Sequence, residues 1–489
     1  MLMEVGLLAK RLIHSGAKRP VTGIVHLGLG AFFRAFGCVY IADAIKASGG
    51  DWGVIGVSLR SPKIRNSLRD QGWAYTSVSL ETGGEMLNSI EVINDVLVAP
   101  ENPCAVLEVM TEPTVKIVTL TVTEKGYCYN PSSGVLNTNH PDIQHDLTHT
   151  LPSSAIGYLV RALQVRRERG FDPFTVLTCD NLPNNGKLVR GLVLEMARLI
   201  DPLLADWIEV EGRFPCCMVD RITPATTQID IERLENITGY FDAAPVMHEV
   251  FSQWAIEDDF VNGDRPDFAA AGVALVTDVT AYEHMKLRML NGTHSALAYT
   301  GYLAGHKTIS DTVLDPVFSA FARALWAEMM PVVTAPPDVI LLDYADALLD
   351  RYANPNIQHR TWQIAMDGSQ KLPQRILGTI SDAFDMGLPT PMLCLSIAGW
   401  MRYVGGTDEA DEPIDVKDPL AVKLRRLSDR VQTPQETVAA LLSLDEIFPT
   451  ELAEQLLLPV TQVAIILWKH GARHTINEIL TKNRSTFND

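Results

Sequence analysis

Between residues 280 and 295 the chain reads Thr280-Ala281-Tyr282-Glu283-His284-Met285-Lys286-Leu287-Arg288-Met289-Leu290-Asn291-Gly292-Thr293-His294-Ser295. Turned as an α-helix at about 100° per residue, Glu283, Lys286, Asn291 and His294 fall within an arc of about 140°. Leu287 and Leu290 share that face, and burying an amine, an amide and an imidazole among leucines is costly unless each is used. The set suits hydride transfer at a secondary alcohol. A base must take the hydroxyl proton, and N–H donors must meet the developing alkoxide. A partly desolvated lysine has its pKa lowered and can be that base, returning the proton in the reducing direction. The same residues also have a structural reading. Thr280-x-x-Glu283 is a capping box, and the polar side chains would then be the solvated margin of a surface helix.

A second chemical segment is Ile24-Val25-His26-Leu27-Gly28-Leu29-Gly30-Ala31-Phe32, an apolar run entering Gly-x-Gly and then a helical pattern. One glycine permits the tight turn, and the other lets the backbone approach a pyrophosphate resting on the helix N-terminus. Gly28, Gly30, Ala31, Phe32 and Arg34 are therefore the candidate cofactor contacts. The third glycine of the fingerprint is replaced by Phe33. No acid ends the next strand to hold the adenosine ribose, since that segment closes in Ser58-Leu59-Arg60-Ser61-Pro62-Lys63. Arg60 and Lys63 would suit a 2′-phosphate or stand as solvated charges, so NAD and NADP both stay open.

The elements that must position these groups follow from periodicity. Apolar runs at 23–27, 54–59, 115–122 and 174–179 end at Gly, Pro or polar clusters, as buried parallel strands do. Helical patterns lie between them, at 31–48 and 154–169. The alternation predicts an α/β fold with a Rossmann-type doubly wound sheet. After Val276 the pattern turns helical, at 281–304, 316–330, 339–352, 390–403, 434–442 and 451–470, with an acidic Gly/Pro loop at 405–419. The expectation is a dinucleotide-binding domain over 1–278 and a mainly α-helical substrate domain over 279–489. A boundary near 210 is also compatible with the pattern.

The 489 residues carry a formal net charge of −18, with 47% hydrophobic and 20% charged positions. That balance suits a globular protein and disfavours nucleic acid or an anionic membrane as partner. An anionic substrate would need a local basic cluster. Glu4, Lys10 and Arg11 interrupt the apolar spacing of the first residues, which do not read as a signal peptide, and no uncharged run approaches the ~18 residues of a membrane helix. The seven cysteines lack metal-ligand spacing. Their odd number and the Cys216–Cys217 pair suggest reduced thiols in the cytoplasm, and Cys179 reads as a buried small residue. Neither a metal requirement nor an oligomeric state beyond monomer or small homo-oligomer is indicated.

Lys286-x4-Asn291-x2-His294, within KLRMLNGTHS, resembles the catalytic signature of the polyol-specific long-chain dehydrogenases, the mannitol dehydrogenase family. Further segments resemble it in the same order: VHLGLGAFFRA at 25–35, LTVTEKGYC at 120–128, TCDNLPNNG at 178–186, MVDRITPATT at 218–227 and FVNGDRPDF at 260–268. RTWQIAMDGSQKLPQR at 360–375 is similar to the fructuronate reductase (mannonate oxidoreductase) branch. The resemblance implies a metal-independent, NAD-linked oxidoreductase acting on a sugar acid or polyol. It implies Lys286 as general acid/base, Asn181 and Asn291 as donors to the oxyanion, and His294 as the residue orienting substrate. Asp220 would hold substrate hydroxyls, Lys371 would meet the far end of the substrate, and Glu124 and Glu283 would pass the proton to solvent.

Each of these has an alternative in the residues themselves: an Asx turn for Asn181, a cap or a partner of Arg221 for Asp220. A substrate carboxylate calls for a cation, and Arg288, Arg360, Arg375 and Lys371 are the candidates. A neutral polyol 2-dehydrogenase is the competing reading, and a catalytically silent binding protein on the same scaffold the remoter one. The chain departs from the family where His-Arg-Ala-His is usual, reading Phe33-Arg34-Ala35-Phe36. That exchange removes polar groups expected near the cofactor and substrate entrance.

Overall fold

The structure, a computed structural model, describes residues 10–131 and 133–486, with side chains as far as residue 482. The helical spacing of residues 1–9 lies outside the described residues. The chain divides into two compact units, Met1–Thr280 and Ala281–Asp489.

In the first unit the strands β1 (Thr22–Leu27), β2 (Gly53–Ser58), β3 (Ile93–Val98), β4 (Ile117–Leu120) and β5 (Thr175–Thr178) form one parallel sheet in the order β3-β2-β1-β4-β5. His26 of β1 stands opposite Gly56 of β2 and Thr119 of β4. Alternate side chains point to opposite faces and both faces are covered, so β1, β2, β4 and β5 read as near-continuous apolar runs. Val25, Leu27, Val57, Val118, Leu120 and Val176 pack in one core with helices Pro103–Met110, Ala155–Glu168 and Asn185–Ile200. Ile24, Val54, Ile93, Ile117 and Leu177 pack in the other, with helix Gly37–Ser48. A sheet buried on both faces has no polar alternation to show. The strand order reverses beside β1, and ligands bind such sheets outside the strands' C-terminal ends at that reversal.

The Rossmann-type sheet is thus present, with differences from the expectation. β3 (INDVLV) was not anticipated, because Asn94 and Asp95 interrupt its apolar run. Asn94 belongs there because its amide donates to Pro20 O (2.9 Å) and Thr22 Oγ1 (3.0 Å), tying the strand to the start of β1. Two three-stranded sheets were also unforeseen: Tyr75–Glu81 with Gly84–Ile90 and Val246–Glu249, and Cys217–Asp220 with Gln253–Glu257 and Ala274–Val276. The helix expected over 31–48 breaks at Phe36 into Ala31–Ala35 and Gly37–Ser48. The Phe33 ring folds over Gly37, where any Cβ would come within 2.3 Å of it.

The second unit is helical; among its described residues the only β pairing is two isolated bridges, Thr308↔Arg360 and Thr407↔Pro413. Helices Thr293–Leu303 and Pro391–Val404 are buried almost all round, as central helices are. They meet closely at Gly399, where a Cβ would lie 3.0 Å from Thr300. The last helix, Thr450–Thr486, runs well beyond the 451–470 expected, through Pro459 and a break at Gly471 (φ +81°). By length and composition it is apolar enough to cross a membrane. It also carries a stripe of buried residues at helical spacing, Leu452, Leu456, Val460, Val463 and Leu467, and packs on Pro391–Val404 and Pro434–Leu442.

Candidate active site

In the first unit the chain turns sharply after β1 at the candidate cofactor glycines. Gly28 has φ +94°, and a Cβ there would stand 2.2 Å from Thr121 O, so only glycine is accommodated. Its N–H and that of Leu29 both donate to Val57 O (2.8 and 3.1 Å), which pins the turn to β2. Gly30 is different. It is exposed, and a Cβ there would meet nothing nearer than Gly28 O at 3.7 Å. The protein does not require that glycine for its own packing, whereas a diphosphate approaching the backbone would. Arg60 lies exposed just beyond the end of β2.

Arg34, expected at the cofactor, is instead buried: its guanidinium donates to Gly30 O (3.2 Å) and Ala244 O (2.5 Å) and lies over the Tyr75 ring. It shapes the turn from within the fold. Phe33 and Phe36 also correct the expectation that they stand at an entrance, since both are fully buried. Phe33 stacks on His26 with ring centroids 3.4 Å apart, and Phe36 packs on Tyr40 and Trp254. His26 is held neutral, its pKa pushed down to about 3 by burial, between Thr119 Oγ1 (2.8 Å) and Thr121 Oγ1 (2.9 Å).

At the ends of β4 and β5 one carboxylate organises two loops. Asp180 accepts from the backbone N–H of Val122 (2.8 Å) and Thr123 (3.1 Å) and from the Tyr127 hydroxyl (2.7 Å). It thereby fixes the loop that carries Glu124, which is exposed and accepts from Tyr129 (3.3 Å). Burial raises the Asp180 pKa, with those hydrogen bonds opposing. Asn181, next in sequence, is exposed. Asn185 below it bonds Thr178 O, Asp180 O and Cys217 O, stitching β5 to the strand Cys217–Asp220. Asp220, the last residue of that strand, is buried. Its neighbour Arg221 donates to the carbonyls of Ala35, Val250 and Phe251. Asp180, Tyr127 and Asn185 were not singled out from sequence. The signal was present, since Asp180 and Asn185 flank Asn181 in TCDNLPNNG.

In the second unit the expected regular helix is corrected. Thr280–Met285 and Thr293–Leu303 are α-helical, but Lys286–Gly292 between them is a π-helix. Its i→i+5 bonding places residues five apart one above the other, and Lys286 and Asn291 are five apart. Nor does Thr280 cap the helix: it is the first helical residue, and its hydroxyl donates to Asp278 (2.5 Å). Lys286 and His294 are buried, Glu283 and Asn291 half-buried. A second π-helix, Pro373–Leu377, packs on the first. A Cβ on Gly292 would stand 2.7 Å from Arg375 O. Both insertions therefore carry polar side chains of the candidate site.

Around His294 the unit gathers cations. Half-buried Arg375 donates to Ser295 Oγ (3.0 Å) and Asn291 O (3.5 Å), and among the described residues it has no carboxylate partner. Lys371 donates to Ile364 O (3.2 Å), and burial, then Arg375, pushes its pKa down to about 8. Burial, then His359, Arg375, Arg351 and Lys371, drive the His294 pKa well below the ordinary value. The other two cations proposed from sequence lie elsewhere in this unit. Arg288 is paired with Asp382 (2.6 Å) and Val332 O (2.9 Å). Arg360 is exposed and lines a separate pocket with Tyr302, His306 and Trp362. Arg351 and His359 were missed; His359 directly precedes the RTWQ segment.

All seven cysteines are free, and Cys179 is buried. Among the described residues Cys128, His140 and Asp142 bring possible metal-ligand atoms within 4.8 Å of one another. His140 Nδ1 already accepts the Asp142 N–H (3.3 Å), capping helix Pro141–Thr148.

Comparison with known proteins gives matches over both units. The family model of the mannitol dehydrogenase Rossmann domain matches residues 22–269, and that of the mannitol dehydrogenase C-terminal domain matches 278–464. YeiQ, an uncharacterised oxidoreductase of Escherichia coli (strain K12), is 46% identical over 88% of each chain. The D-mannonate oxidoreductase of the same organism is 43% identical over 93% of this chain and 94% of its own. Among solved structures, the ternary complex of Pseudomonas fluorescens mannitol 2-dehydrogenase with NAD and D-mannitol is 35% identical, with a TM-score of 0.81 over 97% of both chains.

Proposed function

The chain belongs to the mannitol dehydrogenase family, and from that premise we propose that it is an NAD-dependent oxidoreductase interconverting a sugar acid and its keto acid, D-mannonate and D-fructuronate. The observation that carries the acid reading is Arg375. Its guanidinium stands beside Lys371 and His294, and among the described residues its only hydrogen-bond partners are a carbonyl and a hydroxyl. A desolvated cation without an anion is costly, and a substrate carboxylate is the partner its fork fits. Arg288, already paired with Asp382, is not available for that role.

The remaining roles are proposed residue by residue. Gly28, Gly30, Ala31 and Phe32 would hold the cofactor's pyrophosphate, and Arg60, with no acid in its place, would meet the adenosine ribose. NAD is supported by the relative solved with it; Arg60 and Lys63 would equally admit a 2′-phosphate. When bound, the nicotinamide accepts or supplies the hydride. Lys286, as the neutral amine, takes the proton from the alcohol and as ammonium returns it to the ketone's oxygen. Asn181 and Asn291 offer amide N–H groups to the oxygen as charge develops on it. His294 and Asp220 hold hydroxyls, Lys371 and Arg375 the carboxylate, and Glu124 and Glu283 relay the proton outward.

Incubating the purified chain with D-mannonate and NAD⁺ tests the reading. It predicts appearance of NADH and of a product two hydrogens lighter. A second reading, a neutral polyol 2-dehydrogenase, is favoured by the D-mannitol in the solved relative. Oxidation of D-mannitol but not D-mannonate would select it.

A further inference from the structure

A second imidazole stands beside His294. His359 is half-buried on the loop between Leu341–Ala353 and Thr361–Ile364, and its Nδ1 lies 3.4 Å from His294 Nε2. The two rings are 5.2 Å apart at 30°, and among the described residues no other side-chain hydrogen bond to the His294 ring is formed. The loop is anchored on both sides of this residue. His359 N donates to Ile357 O (2.9 Å), and Ile309 N donates to His359 O (2.9 Å). Thr308 and Arg360 form an antiparallel bridge, and Thr361 N–H and hydroxyl both bond Lys307 O (3.0 and 3.2 Å). The ring therefore approaches His294 from a fixed backbone.

We propose that His359 is a positioning residue: through Nδ1 it fixes the ring orientation and the tautomer of His294, and so the hydrogen bond that His294 offers the sugar. The proposal rests on reading His294 as the substrate-orienting residue. Two imidazole nitrogens facing each other hold one proton between them. If His359 Nδ1–H donates, His294 carries its own proton on Nδ1; if His294 Nε2–H donates, its Nδ1 is a bare acceptor. The partner thus decides what His294 presents. A second proton on the pair is opposed by its surroundings: Arg351, Lys371 and Arg375 face His294, and burial followed by Arg351 pushes the His359 pKa down to about 4. Tyr352 flanks the His294 ring at 5.1 Å and donates its hydroxyl to Leu290 O (2.7 Å).

The test compares wild type, His359→Phe and His359→Asn in the full chain at saturating NADH, on whichever sugar the wild type turns over best. Phenylalanine keeps a ring and removes the nitrogen; asparagine places an amide able to donate or accept near the Nδ1 position. His359→Phe should lower kcat/KM for the sugar about three- to tenfold, the range of one hydrogen bond, leaving the KM for NADH within about twofold. His359→Asn should recover most of that loss. In histidine-labelled protein, the His294 ¹⁵N signals should pass from one tautomer to a mixture in His359→Phe and return in His359→Asn. Wild-type kinetics with an unchanged His294 signal in His359→Phe would overturn the proposal. So would equal impairment of both variants with no tautomer change. A wild type that prefers a ketose overturns the uronate reading alone, because each variant is judged on the same sugar. A wild type inactive on every sugar overturns the function, and the tautomer spectra still decide the role of His359.

Discussion

Replacing Arg375 by Gln tests the acid reading at its base. Among the described residues the guanidinium has two hydrogen-bond partners, Ser295 Oγ at 3.0 Å and Asn291 O at 3.5 Å, and both are neutral. Gln retains an amide donor for one of them and loses the charge. A charge-assisted hydrogen bond to a carboxylate contributes roughly 1.5–3 kcal/mol, and each ~1.4 kcal/mol is a factor of ten. The KM for D-fructuronate should therefore rise roughly ten- to a hundredfold. Loss of the Ser295 and Asn291 contacts is a structural cost common to every substrate, so D-fructose, which presents no charge, is the internal control. The informative quantity is the ratio of the two kcat/KM changes, measured from NADH absorbance at saturating cofactor. Equal losses on both sugars would exclude a charge contact with the substrate and leave Arg375 as a brace between the two π-helices.

Lys286→Ala should cut turnover by about 10²–10⁴-fold with NADH affinity nearly unchanged, measured by fluorescence titration; near-normal turnover would contradict the assignment of the base. Burial and Arg375 hold the Lys371 pKa at about 8, so in the free enzyme its charge is present below that pH and lost above it. kcat/KM for the acid should accordingly fall as pH rises through about 8, and Lys371→Met should flatten that limb. Burial raises the Glu328 pKa from the ordinary 4.5 to about 8, against the two backbone N–H groups of Met392 and Leu393 that it accepts. The folded chain then holds this proton more tightly than the unfolded one, so its contribution is full below about 4.5 and lost as pH rises through 8. Glu328→Gln should lessen the fall in Tm between pH 5 and 8; an unchanged slope would contradict the shift.

What could be read from sequence was what depends on burial and on residue type. β1 and its Gly-x-Gly turn were legible because a strand covered on both faces is an apolar run, and because the Gly28 conformation excludes every other residue. Lys286, Asn291 and His294 were legible as types. Their phasing was not: apolar spacing in KLRMLNG does not separate a four-residue from a five-residue hydrogen-bond step, so the π-helix escaped. The fates of Arg34, Arg288 and Arg360 depend on partners far away in the chain, the Ala244 carbonyl and Asp382 for the first two and solvent for the third. Lys371 and Arg375 share the same motif, and only the packing of Pro373–Leu377 against Gly292 shows where it lies. Phe33 and Phe36 looked like substitutions at an entrance and are core residues. Asp180 gathers Val122, Thr123 and Tyr127, and His359 meets His294, through hydrogen bonds between residues more than fifty positions apart, which no spacing rule reveals.

The most direct measurement is the specificity of the unaltered chain. With purified protein and saturating NADH, kcat/KM for D-fructuronate and D-fructose would be determined side by side. A preference for fructuronate of at least about tenfold is expected, the lower end of what one charge-assisted contact supplies. Preference for fructose, or no oxidation of NADH by either sugar, would contradict it.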